Sequence, residues 1–160
     1  IKTPDDMMAI RKAVKEGTIK VVATDHAPHL PAEKQNNYTK APSGIPLVQH
    51  SLQLMIELYR KGVLELEDVV ARMSHGPAEC FNIKERGFLR EGYYADLAIA
   101  DLNLPDSHST NNPAYKCGWS PFEGEVFSSS IIHTFVNGTQ VVENGKLTGA
   151  RNAMALEFER

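Results

Sequence analysis

The amino-acid sequence predicts an α/β first half followed by an antiparallel β second half. In the first half, a helix pattern leads directly into a β-branched run at residues 19–24, which is half of an α/β repeat. In the second half, short apolar runs alternate with glycines and flank Asn137-Gly138, a strong signal for a β-hairpin. We therefore predict two domains, at residues 1–84 and 85–160.

The first helix has a recognisable start and end. Thr3 is placed as its N-cap, Pro4 takes the first helical position, and acidic residues follow in the first turn. Gly17 is the natural C-terminal stop. The β-branched run at residues 19–24, which comes next, is typical of a largely buried parallel strand.

A long polar loop separates this strand from two further helices. Residues 25–46 contain four prolines, and a loop of this length is uncommon in a compact domain unless it is functional or disordered. Apolar residues at helical spacing predict helices at residues 47–61 and 66–73. Gly76-Pro77 is expected to break the second of these helices and to start a shorter one.

Three strands are predicted in the second half, at residues 95–100, 126–136 and 139–142. A second long loop, at residues 103–124, separates the first of these strands from the other two. This loop carries Trp119, which we expect to pack the loop onto the sheet, with a role in an interface as the alternative.

The bulk properties exclude several classes of function. The formal net charge of −3 gives no basic footprint for nucleic acid. No apolar run approaches the roughly 18 residues of a membrane-spanning helix, and no signal peptide opens the sequence. Cys80 and Cys117 fit free thiols in a reducing compartment better than a disulfide framework. We therefore expect a cytoplasmic protein that binds neither nucleic acid nor membranes.

The candidate chemistry lies where the first predicted strand ends. Asp25 follows that strand directly, which is where α/β barrels place their catalytic groups. An aspartate can serve as a metal ligand and as a proton carrier, and His26 and His29 are potential bases or ligands. Pro28 stiffens the turn between the two histidines. The alternative is structural: Asp25 would cap the loop, and the histidines would satisfy local backbone groups.

Residues 24–29, Thr-Asp-His-Ala-Pro-His, resemble the signature that dihydroorotases carry after the eighth strand of their metal-dependent barrel. Glu33-Lys34 and residues 40–45 continue the resemblance in register, and the latter are similar to the family's substrate loop. Similarity to the β-sandwich domain of amidohydrolases falls at residues 87–97, 120–124 and 136–138. The resemblance implies an α/β fold made of the last strand and helices of a TIM barrel, followed by part of a small β-sandwich.

The same resemblance implies a role for individual residues. Asp25 would be the barrel's last metal ligand and also the catalytic base. His29 would hold the carboxylate of the substrate, while Ser43 and Gly44 would meet the substrate chiefly through backbone groups. The implied cofactor is zinc, as one or two ions, which lowers the pKa of bound water to roughly 7. The implied reaction is the reversible conversion of dihydroorotate to N-carbamoyl-L-aspartate in pyrimidine biosynthesis.

Two features limit what this chain is expected to do alone. It begins at Ile1 without a methionine, and it contains no His-x-His pair, which supplies zinc ligands in the family. One aspartate and one histidine cannot hold a catalytic zinc, which takes at least three protein ligands. We therefore expect the C-terminal portion of a longer protein, inactive and metal-free by itself. The expected partners are the small-molecule substrate and further copies in a homo-oligomer, with a transcarbamoylase as an additional candidate.

Two alternatives to a dihydroorotase stay open. The later motifs recur in hydantoinases and allantoinases, so a cyclic amidohydrolase of that type is the first alternative. The second is a metal-free, dihydroorotase-like protein that serves as a structural or assembly partner, for example of a transcarbamoylase.

Overall fold

The computed structural model describes residues 2–107 and 114–159, so part of the predicted loop at 103–124 lies outside the described residues. The α-helices are α1 (Pro4–Lys15), α2 (Pro31–Lys34), α3 (Ser51–Arg60), α4 (Leu66–Val70) and α5 (Gly76–Cys80). A 3-10 turn (Val48–His50) precedes α3, and a π-helical segment (Ala71–His75) joins α4 to α5. The strands are β1 (Leu97–Asp101), β2 (Ser130–Val136), β3 (Thr139–Glu143) and β4 (Lys146–Leu147).

Helix α1 starts and ends as its sequence predicts. The Thr3 hydroxyl accepts the N–H of Asp6 at 3.1 Å, and the Asp6 carboxylate accepts the N–H of Thr3 at 3.0 Å. These hydrogen bonds from Thr3 lower the pKa of Asp6. Gly17 ends the helix region with a φ of 82°, a backbone conformation that favours glycine. The capping box therefore confirms the predicted start of α1.

The strand predicted at residues 19–24 is not formed as a hydrogen-bonded strand. Residues 20–30 have no regular secondary structure, because no strand in the described parts of the chain lies beside them. The N–H of Val22 bonds instead to the carbonyl of Arg72 at 3.1 Å, and Arg72 Nε donates to the carbonyl of Val14 at 2.8 Å. Arg72 thus ties this segment and α1 to the π-helical segment.

The short helix predicted to start at Gly76-Pro77 is observed as α5, but the break predicted before it is wrong, because the chain stays helical from α4 to α5. Pro77 has no N–H to donate to the preceding turn. The chain accommodates it by widening that turn into a π-helix, in which the N–H of Gly76 reaches the carbonyl of Ala71, five residues back. Gly76 itself is helical, with φ −57° and ψ −48°.

A substitution at Gly76 tests the close packing of this helix against the backbone at Lys20. An alanine in a helix is normally favoured over glycine by about 1 kcal/mol. At Gly76, however, a Cβ atom would overlap the carbonyl oxygen of Lys20 and lie 2.9 Å from that of Ala71. We expect Gly76→Ala to lower the free energy of unfolding by roughly 2 kcal/mol, measured by urea unfolding. Ser74→Ala, at an exposed position of the same helical region, is the control, and a stabilised Gly76→Ala protein would contradict this packing.

The second half contains an antiparallel sheet of strand order β1-β2-β3-β4. Asn137 and Gly138 join β2 to β3 with φ angles of 48° and 77°, which confirms the predicted hairpin. A second Asn-Gly pair, Asn144-Gly145, joins β3 to β4 with φ angles of 50° and 74°. Sequence analysis did not single out this second turn, although it carries the same signal.

Helix α3 connects the two halves of the chain. One side of the helix contributes Met55 to the core, which also contains Val14, Leu64 and Val69. The other side reaches the second half: Gln53 Nε2 donates to the Asp106 carboxylate at 2.8 Å and to the carbonyl of Ser129 at 2.9 Å. None of the helices in the described ranges is long and apolar enough to cross a membrane.

Candidate active site

Asp25 lies where the unpaired segment after α1 turns into the long loop. It is exposed and has a φ of 46°, in the left-handed region that non-glycine residues seldom adopt. Aspartate tolerates this region better than most residues. No hydrogen bond or ion pair joins its carboxylate to another residue within 2–107 or 114–159. The carboxylate is therefore available to a metal ion or a substrate.

His26 has a structural role. Its Nδ1 accepts the N–H of Leu47 at 3.0 Å and lies 3.3 Å from the backbone nitrogen of Val48, so Nδ1 is the acceptor of the ring and Nε2 its donor. These donors are the unpaired N–H groups at the start of the 3-10 turn that leads into α3. The structural alternative predicted local backbone partners for this histidine, but its partners are backbone groups 21 and 22 residues further along the chain.

Tyr115, from the second half of the chain, completes this cap. Its hydroxyl accepts the N–H of Gln49 at 2.9 Å, and the Gln49 side chain accepts the N–H of Ala114 at 2.7 Å. The Tyr115 ring lies 5.0 Å from that of His26. Burial raises the pKa of the Tyr115 phenol, and the N–H groups of Gln49 and His50 partly offset this effect. Tyr115 was not predicted from the sequence, because no local motif marks it.

His29 is held by backbone contacts that leave its ring partly exposed. Its N–H bonds to the carbonyl of Ala27 at 2.9 Å, and its carbonyl accepts the indole N–H of Trp119 at 2.8 Å. The ring's Nδ1 lies 3.9 Å from a carboxylate oxygen of Glu33. Trp119 was expected to pack its loop onto the sheet, but its polar contact is with this loop of the first half.

The Ser43-Gly44 segment lies against the loop that begins at Asp25. Both residues are exposed, and Gly44 has a φ of 85°. A Cβ atom on Gly44 would lie 2.6 Å from the Cβ of Ala27, so only glycine fits at this approach. The N–H of Ala27 also donates to the carbonyl of Ile45 at 3.1 Å. The structure thus brings the two predicted substrate-binding segments together.

In this region, Asp25 is the residue that suits the zinc ion expected from the sequence. The exposed Asp25 carboxylate fits a single position of a zinc site. Elsewhere in the described residues, no three His, Cys, Asp or Glu side chains converge in a way that could hold a metal ion. His50 is buried against Phe122 and Phe127, and His75 stacks on Phe88 with ring centroids 4.3 Å apart.

The sequence profile of the amidohydrolase family matches residues 2–141. This chain belongs to the amidohydrolase family.

Curated relatives narrow the comparison to one group of enzymes in this family. The chain is similar to the dihydroorotase of Endomicrobium trichonymphae, with 37% identity over 142 residues, covering 88% of this chain and 34% of the relative. It is also similar to the dihydroorotase of Clostridium acetobutylicum, with 34% identity over 145 residues, covering 90% and 34%. The chain thus spans about a third of the length of the curated relatives it matches.

Solved structures support the predicted fold class. Dihydropyrimidinase from Brevibacillus agri superposes with a TM-score of 0.85 at 23% identity, covering 92% of this chain and 33% of that one. L-hydantoinase (dihydropyrimidinase) from Arthrobacter aurescens gives 0.81 at 28% identity, covering 91% and 33%. The fold class is therefore confirmed: part of an amidohydrolase TIM barrel with a small antiparallel sheet. The domain limits at 1–84 and 85–160 stay a prediction.

Proposed function

We propose that the whole protein is a zinc-dependent dihydroorotase of pyrimidine biosynthesis, and that this chain supplies one end of its active site. The observation that carries the proposal is that the segment bearing Asp25 and His29 packs, through Ala27, against the Ser43-Gly44 segment. Hydrolysis of dihydroorotate requires a carboxylate that transfers a proton and a ring that binds the anionic group of the substrate. It also requires a backbone segment that contacts the substrate, here one that contains glycine.

In this proposal Asp25 carries the proton. Its exposed carboxylate accepts a proton from the attacking water and returns it to the ring nitrogen as the amide C–N bond breaks. The product is N-carbamoyl-L-aspartate, and the biosynthetic direction runs the same transfers in reverse. Asp25 is also the residue of this chain that would bind zinc, which when bound lowers the pKa of water to about 7.

His29 and the Ser43-Gly44 segment bind the substrate. A ring N–H of His29 donates a hydrogen bond to the substrate carboxylate, and this bond is charge-assisted because the acceptor is ionised. Glu33 lies 3.9 Å from His29 Nδ1, which leaves Nε2 for the substrate. Backbone donors of the Ser43-Gly44 segment supply a second contact.

A hydantoinase or allantoinase is the second candidate, because the similar solved structures include dihydropyrimidinases and hydantoinases. We expect the whole protein to hydrolyse dihydroorotate at least tenfold faster, as kcat/KM, than dihydrouracil or allantoin. Turnover measured on the three substrates side by side decides between the candidates. Faster hydrolysis of either uncharged ring would overturn the dihydroorotase proposal.

A metal-free structural partner is the third candidate. Zinc measured in the purified whole protein separates it from the first two, since we expect at least one ion per chain of a dihydroorotase.

We further propose that the whole protein is a cytoplasmic homo-oligomer, with a transcarbamoylase as the candidate assembly partner. Size-exclusion chromatography with light scattering, with and without the transcarbamoylase, tests this assembly.

A further inference from the structure

The ammonium group of Lys34 forms hydrogen bonds to the backbone on both sides of Ser43, in the proposed substrate-binding segment. Lys34 Nζ donates to the carbonyl of Pro42 at 2.6 Å and to the carbonyl of Gly44 at 2.9 Å. These two carbonyls flank Ser43, and both hydrogen bonds are charge-assisted. Lys34 is half-buried, whereas Ser43 and Gly44 are exposed.

The other contacts of residues 42–45 show which backbone groups are left without a protein partner in the described ranges. The carbonyl of Ile45 accepts the N–H of Ala27, so three carbonyls of residues 42–45 bond to protein donors. By contrast, the N–H groups of Ser43 and Gly44 bond to no residue in the described ranges. The backbone donors of the segment are therefore left for a bound ligand.

Lys34 also changes the strength of one of these donors, the N–H of Ser43. The carbonyl of Pro42 belongs to the same peptide unit as the N–H of Ser43, so a cation on the oxygen draws electron density away from the N–H. Hydrogen bonds in such a chain polarise one another and strengthen the terminal donor. A polarised N–H favours a negatively charged acceptor over a neutral one.

The position of Lys34 is itself set by the loop that carries His29. Helix α2 begins one residue after Leu30, whose N–H is capped by the Glu33 carboxylate at 2.6 Å. Glu33 faces His29 and Lys34 faces the Ser43-Gly44 segment. Two adjacent charged residues of one helical turn, Glu33 and Lys34, thus lie against the two proposed substrate-binding elements.

We propose that Lys34 is a positioning residue that makes the site selective for an anionic substrate. It acts through the Pro42–Ser43 peptide, without touching the substrate, and this inference rests on the proposed dihydroorotase function. The substrate class is a cyclic amide with a carboxylate substituent.

The test compares Lys34→Met and Lys34→Arg in the whole protein. Lys34→Met keeps the length of the side chain and removes its charge, and Lys34→Gln is a second neutral variant if the first does not fold. We measure KM and kcat for dihydroorotate, and the Kd of its uncharged methyl ester by calorimetry. Lys12→Met is the matched control, since Lys12 is an exposed lysine of α1 and lies outside the proposed site.

We expect Lys34→Met to raise the KM for dihydroorotate about tenfold while kcat and the Kd of the ester change less than threefold. Lys34→Arg should recover part of the loss, and Lys12→Met should behave as wild type. Equal losses for dihydroorotate and the ester would overturn the inference, because they indicate a purely structural role. Normal kinetics of Lys34→Met would overturn it too, whereas a wild-type protein that does not bind dihydroorotate would refute the proposed function as well.

Discussion

Replacing Asp25 with asparagine in the whole protein is expected to lower kcat for dihydroorotate by about a thousandfold. In the proposed reaction, the substitution removes the group that carries the proton and replaces an anionic zinc ligand with a neutral one. The fold should be kept, since Asp25 is exposed and asparagine tolerates its positive φ at least as well as aspartate. Steady-state kinetics and zinc content, measured on the same preparation, report both effects.

Asp5→Asn is the matched control for this substitution. Asp5 is an exposed carboxylate in the first turn of α1 and lies outside the proposed site. Its replacement should leave kcat and zinc content at wild-type values. An Asp25→Asn protein that keeps more than a tenth of the wild-type kcat would exclude Asp25 as the proton carrier.

Replacing His29 with glutamine is expected to raise the KM for dihydroorotate by roughly 10- to 100-fold. In the proposed complex, the substitution removes a donor that can carry a positive charge and leaves the Glu33 carboxylate beside the substrate's own carboxylate. Binding of the uncharged methyl ester should change far less, because it depends little on that charge. KM values for dihydroorotate and calorimetric Kd values for the ester measure the difference.

His133→Gln is the control, because His133 lies in β2 and contacts Gln140 of the sheet. It should bind dihydroorotate and the ester as the wild type does. If His29→Gln weakens both ligands equally, His29 supports the loop without recognising the carboxylate, and the choice of dihydroorotate over an uncharged ring loses its basis.

Local signals in the sequence predicted the elements that local interactions determine. The capping box at Thr3 and the Asn137-Gly138 turn each depend on a few neighbouring residues, and both are observed. The strand predicted at residues 19–24 fails because a strand requires a hydrogen-bonded neighbour, which the described residues do not provide. The continuous helix across Gly76 was missed because a π-helical turn accommodates the following proline.

In the candidate site, too, the sequence predicts some residues and not others. Asp25 and His29 belong to a contiguous motif, so resemblance to a family could pick them out. Tyr115 and Trp119 could not be found in this manner, because their partners Gln49 and His29 lie 66 and 90 residues away in the sequence. Contacts of such separation leave no periodicity or spacing that a single sequence reveals. Lys34 had a signal in the motif, but its hydrogen bonds appear only in the folded chain.

A crystal structure of the whole protein with dihydroorotate, combined with anomalous scattering at the zinc edge, tests the central claim most directly. We predict a zinc ion about 2.1 Å from a carboxylate oxygen of Asp25 and the substrate carboxylate in hydrogen-bond contact with His29. A zinc ion held entirely by other residues, with Asp25 and His29 both facing solvent, would contradict it.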